Sequence, residues 1–162
     1  MKKENKALFY ILSFTWGLPF VLVGLLVLAF IRIFLHKKIF DYKVIAGRIC
    51  IIWNSTLPGA INLGIVYILD KDSMFSVRLH KHEIGHSIQN AFLGPLFIPV
   101  IGIPSLIRAS LWDKYSFKIY KKTGKFPDYD GIWFEGQATK LGATYVENEI
   151  TEDINKRIKL EK

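Results

Sequence analysis

The stretch ALFYILSFTWGLPFVLVGLLVLAFI, Ala7 to Ile31, runs for 25 residues without a charge. As one helix it would exceed the roughly 30 Å hydrocarbon thickness of a bilayer with room to tilt, so it predicts an N-terminal transmembrane helix. Lys2, Lys3 and Lys6 precede it as they would in a secretory signal. A signal core, however, is about 7–15 residues long and ends at small residues. This run is longer and passes directly into Arg32, His36, Lys37 and Lys38. The expectation is an uncleaved anchor with basic flanks over residues 1–38, followed by a second unit over 39–162.

The whole chain has 162 residues, 51% of them hydrophobic, and a net charge of +8. The positive charge is dispersed and carries no aromatic-basic signature of RNA or DNA binding, so nucleic acid is excluded as the expected partner. Basic residues beside an apolar helix suit anionic lipid headgroups. The basic cluster after Ile31 outweighs the one before Ala7, which places the N-terminus outside and the body on the cytoplasmic side. One cysteine, Cys50, forms no internal disulfide and is compatible with a reducing compartment.

Beyond the basic patch, KVIAGRICIIWN (43–54) and INLGIVYIL (61–69) are rich in β-branched and aromatic residues. Separated by a loop with Pro58 and Gly59, they predict a β-hairpin or a pair of short strands. DKDS (70–73) then starts a helix, with Ser73 as N-cap, that runs until Gly94-Pro95 stops it. The apolar segment 95–112 is interrupted by Pro99, Gly102 and Pro104 and carries Arg108, which suits lipid headgroups or a pairing with Glu135. It predicts a re-entrant, interfacial or broken helix. KKTGKFPDYDG (121–131) reads as a loop, and a final helix starts at Ile132. The predicted class is an α+β membrane protein.

Inside the central helix lies His82-Glu83-Ile84-Gly85-His86, an H-E-x-x-H pattern. Residues four apart share a helix face, so His82 and His86 can both direct an imidazole nitrogen at one Zn²⁺. Glu83, one residue on, is placed to act as base toward a metal-activated water. The bland reading is a solvated helix face, to which His80 and Lys81 would also belong. Against it stands the cost of ionisable groups beside so apolar a sequence. A catalytic zinc site usually takes three protein ligands, and the third candidates downstream are Asp128, Asp130 and Glu135. Glu135 starts an apolar helix, where a carboxylate needs a partner.

HEIGH followed by a helix carrying Glu135 resembles the gluzincin metallopeptidases. The run HEIGHSIQNAFLGPLFIPVIGIPSLIRA with WFEGQATKLG also resembles a group of small bacterial membrane proteins with HE-x-GH, LGPL and TExxA-like segments. The resemblance implies His82, His86 and Glu135 as zinc ligands, Glu83 as catalytic base, and a bacterial inner or plasma membrane as location. It departs from the gluzincin pattern at Thr139, where those enzymes commonly have an acidic residue that bonds a ligand histidine. FPDYDG loosely resembles the aspartate-glycine motif of the site-2 protease type, which would make Asp130 the third ligand. In zincins an edge strand beside the metal pairs with extended substrate, a role that would fall to 61–69.

The sequence thus predicts a membrane-anchored zinc metallopeptidase acting on a peptide or membrane-associated protein. The reading from another class is a non-enzymatic membrane accessory or scaffold protein with a structural H-E-x-x-H. A common site also requires 95–112 to turn back toward His86 or not to cross the membrane at all. Of Tyr115, Tyr120, Tyr129 and Tyr145, any could donate a hydrogen bond to a developing oxyanion.

Overall fold

A computed structural model describes residues 5–54 and 59–160; Lys2, Lys3 and Pro58 lie outside them. The fold is α+β, with six α-helices and a four-stranded mixed sheet among the described residues.

The long N-terminal helix is not formed. The uncharged run divides into α1 (Lys6–Phe14) and α2 (Leu18–Phe34), bent by 87°. Pro19 lies in the first turn of α2 and has no N–H to continue a helix; its ring would strike the carbonyl four residues back. The Gly17 N–H turns instead to the Leu12 carbonyl at 2.8 Å. Among the described residues no single helix is long and apolar enough to cross a membrane; only this bent pair passes such a test together. Both helices share one apolar cluster with the sheet and the central helix: Phe9, Val21 and Ile31 pack with Ile51, Val66 and Ala91.

Each predicted strand region folds back on itself. β1 (Ile39–Ile45) and β2 (Arg48–Trp53) form one antiparallel hairpin, and β3 (Ala60–Leu63) and β4 (Val66–Asp70) form another. The turns were hidden inside apolar runs. Ala46 and Gly47 have φ of 48° and 77°, and Gly64 has φ of 76°, the left-handed values that two-residue hairpin loops require. β2 and β4 pair in parallel, giving the order β1-β2-β4-β3 and leaving β3 at an edge.

One face of the sheet packs on the central helix, α3 (Val77–Leu93), through Ile52, Tyr67, Leu69 and Ile84, all fully buried. Burying each such side chain contributes about 1.5–3 kcal/mol. The N-cap of α3 is Ser76, whose hydroxyl accepts from the Leu79 N–H; Ser73 sits in a preceding turn capped by Asp70. Gly94 ends α3 with φ of 56°.

Segment 95–112 forms the first half of a longer helical stretch. A single π turn, Ile98–Gly102, leads into α4 (Ile103–Thr123). The wider turn, closed by the Ile103 N–H on the Ile98 carbonyl, lies just before Pro104, which cannot supply a helical N–H. α4 runs through Lys121, so the predicted loop begins only at Gly124. The predicted final helix is two, α5 (Trp133–Tyr145) and α6 (Glu147–Leu160), broken at buried Val146.

Candidate metal centre

α3 and α5 cross at unusually short range because glycine lies at both contacts. A Cβ on Gly85 would collide with the Ala138 carbonyl, and one on Gly142 would collide with the Lys81 carbonyl. This approach brings the first turn of α5 onto the middle of α3. Glu135 Oε2 lies 3.0 Å from His82 Nε2 and 3.2 Å from His86 Nε2, and the two Nε2 atoms are 3.1 Å apart. One ligand atom from each residue lies within 4.8 Å of the others, and all three residues are buried. The group could hold a metal ion.

Two further observations fit a cation. Glu135 is completely buried, and its second oxygen, Oε1, meets the hydrogen-bond distance and angle of no partner among the described residues. Burial pushes the Glu135 carboxyl up, but the His82 and His86 imidazoles and the Ser105 hydroxyl together hold it well below the ordinary carboxylate range. The histidines also engage their other nitrogens away from the centre, which leaves both Nε2 atoms facing Glu135. His86 Nδ1 meets Gln89 Oε1 at 2.7 Å, and the Gln89 amide donates to the Phe134 carbonyl and to Gln137. His82 Nδ1 meets the Thr139 hydroxyl at 2.9 Å, and that hydroxyl donates to Asp130 Oδ2 at 3.2 Å. Outer contacts of this kind fix a ligand's ring and tautomer.

Thr139 therefore extends the reach of a carboxylate rather than replacing it. Asp130, with Arg78 at 3.3 Å, stands behind His82 and outside the three-residue group. His80 is also outside, and it is no part of a wet face. It is fully buried, with Nε2 on the Met74 carbonyl and Nδ1 on the Tyr67 hydroxyl at 2.7 Å. Lys81 pairs with Glu147 at 2.7 Å.

Glu83 lies beside His82 and His86 in the wall of a cavity of about 260 Å³. Burial is the main cause that raises its carboxyl to about 7; His86 lowers it and Glu135 raises it further. β3 forms another wall, fixed to α3 by Asn62, whose amide donates to the Glu83 carbonyl at 2.9 Å. The opposite wall comes from Phe97 to Ala109, which returns along the site as a common centre requires; the Phe97 ring is 6.3 Å from that of His86.

Of the four tyrosines considered, Tyr129 is the one lining the cavity, 6.0 Å ring to ring from His82. Burial, then Glu135 and Glu83, push its hydroxyl up to about 12, so it remains a donor at neutral pH. Arg108 holds the Tyr129 loop. Its guanidinium donates to the Tyr129 carbonyl at 2.8 Å and lies over the Trp112 and Tyr129 rings. Sequence reasoning assigned Arg108 to lipid or Glu135, and it passed over Asn62 and Ser105. Nothing in the local sequence distinguishes those two from ordinary strand and helix polar residues.

No family model, curated protein or solved structure matches this chain.

Proposed function

We propose that the chain is a membrane-anchored zinc metallopeptidase, with His82, His86 and Glu135 as metal ligands and Glu83 as catalytic base. The observation that carries this reading is the meeting of Glu135 Oε2 with both Nε2 atoms in the cavity that Glu83 also lines. Two imidazoles and one carboxylate suit zinc and leave a fourth position for water, as in the gluzincins that the motif resembles. Bound there, zinc would bring the pKa of a water toward about 7 and polarise a peptide carbonyl.

The remaining steps belong to the chain's own residues. Glu83 accepts the water's proton as the new C–O bond forms and gives it to the amide nitrogen as the C–N bond breaks, so water is the only co-reactant. Tyr129 is positioned to donate to charge developing on the carbonyl oxygen. The edge strand β3 offers backbone groups to an extended substrate beside Glu83.

The test compares wild type with Glu83→Gln on a set of internally quenched peptides in lipid micelles. The expected result is unchanged zinc content and a kcat lower by about 10²–10⁴-fold. Full turnover by Glu83→Gln would overturn the role of Glu83. Zinc-replete protein that cleaves no peptide would favour the non-enzymatic reading.

A further inference from the structure

The cavity has two chemically different halves. Its polar groups gather around Glu83: Ser105 acts on the Glu135 carboxyl, and Tyr129 stands by His82. The rest is apolar, lined by Phe20 of α2, Ile61 and Leu63 of β3, and Phe97 and Leu106 opposite. Phe20 and Phe97 meet at 4.9 Å and close the floor. Lining residues at the mouth are themselves exposed hydrophobics: Ile61, Ile103 and Leu106 are 42%, 50% and 57% accessible. A cavity whose rim is apolar selects for apolar ligand surface before any chemistry occurs.

The surroundings continue the rim. α2 and the Phe97–Thr123 helix both start at one corner, where Phe20 meets Phe97 and the Trp16 ring lies against Gly94. From that corner each exposes large apolar residues: Leu22, Leu26 and Phe30 on α2, and Val100, Ile107 and Leu111 on the other. Each then ends in cations, with Arg32 in the last turn of α2, Lys37 and Lys38 just after it, and Lys114, Lys118, Lys121 and Lys122 along the far half of α4. Apolar beginnings and basic ends are complementary to hydrocarbon and anionic headgroups respectively.

We propose that the cavity receives an apolar, locally extended polypeptide segment directly from the bilayer, through the mouth between β3 and α4. The segment pairs with β3 through its backbone, and an aliphatic or aromatic side chain enters the space between Phe20, Phe97 and Leu106. Its bond nearest Glu83 is then the one exposed to the chemistry; that last step rests on the metallopeptidase reading, and entry from the bilayer on the membrane association proposed with it. A segment interrupted by glycine or proline is favoured, because an intact transmembrane helix has no free backbone groups to offer an edge strand.

Binding is tested on the full-length protein in phosphatidylcholine–phosphatidylglycerol vesicles with chelator present, so that the result is independent of zinc. The probe is a dansyl-labelled, leucine-rich peptide with a central glycine-proline and lysine ends. The control carries serine and asparagine in place of leucine. The leucine peptide is expected to bind at least about tenfold more tightly in vesicles. Ile61→Ser with Leu106→Ser, scored on the protein that floats with the vesicles, is expected to remove most of that difference, while zinc content remains that of wild type. Equal binding of the two peptides by wild type overturns the proposal without any variant. So does an unchanged preference in the folded double variant, or leucine-peptide binding that is as tight in the absence of vesicles. Failure of the metallopeptidase reading shows instead as absent zinc or turnover with peptide binding intact.

Discussion

Two helix pairs stand around the same site and follow opposite rules. α3 and α5 touch backbone to backbone through Gly85 and Gly142, and bury His82, His86, Glu83 and Glu135 with polar partners behind the histidines. α2 and α4 carry large side chains, many of them exposed, and contribute bulk rather than fixed polar geometry. The first pair brings its backbones closer than any side chain at Gly85 or Gly142 would allow. The second supplies apolar lining to the cavity through Phe20, Ile103, Leu106 and Ala109. On the proposed function, chemistry and recognition fall to different parts of a small chain.

The comparison is broken most severely at Gly85. Gly85→Val places two methyl groups against the Ala138 backbone, where even one Cβ does not fit. The helices must separate, at a cost of about 3 kcal/mol, and the ligand set disperses. Thermal unfolding and zinc titration are expected to show lowered stability together with lost metal binding. A smaller effect is expected at Thr139→Val, which keeps the shape and removes the link between His82 and Asp130. Zinc affinity should fall by roughly 10–100-fold, as measured by competition with a chelating dye. Retained affinity would mean that the Thr139 contact does not orient His82.

Next is a pH effect in metal-free protein. Glu83 is raised from 4.5 to about 7, so between these values the folded state keeps a proton that the unfolded state has lost. Stability therefore falls as pH rises through that window, by up to about 1.4 kcal/mol per pH unit. Glu135 is lowered, and its stabilisation is lost only as pH falls below the ordinary carboxylate range, so it does not mask this slope. Urea unfolding at several pH values should show the slope in wild type and a flatter line in Glu83→Gln. The smallest effect is expected on the permissive side. Ile107→Ser, at a 54% exposed position, should change stability by less than about 0.5 kcal/mol while weakening vesicle flotation.

The helix pair that holds the site was legible in the sequence because its signals are local. H-E-x-x-H needs only helical spacing, and Glu135 stood out as a charge at the start of an apolar helix. The errors arose where a tertiary or turn requirement interrupts a uniform apolar run. Reading 7–31 as one helix weighed its missing charge and overlooked Pro19, which ends one helix and begins the next. Ala46-Gly47 and Gly64 looked like strand interior, although their positive φ values make them turns. His80 looked like surface because its partners, Tyr67 and the Met74 carbonyl, are brought to it only by folding. Asp130 stands behind His82 instead of beside Glu135, joined to the Nδ1 side of the ring through the Thr139 hydroxyl.

α5 delivers a carboxylate to two histidines of α3, a set that could hold a metal ion. X-ray absorption at the zinc edge of the loaded protein tests it most directly, in wild type and in Glu135→Ala. The account predicts one zinc per chain with two imidazoles and a carboxylate oxygen in wild type, and loss of that oxygen with much weaker binding in the variant. Wild type that takes up no stoichiometric zinc, or a Glu135→Ala variant with the same coordination and affinity, would contradict it.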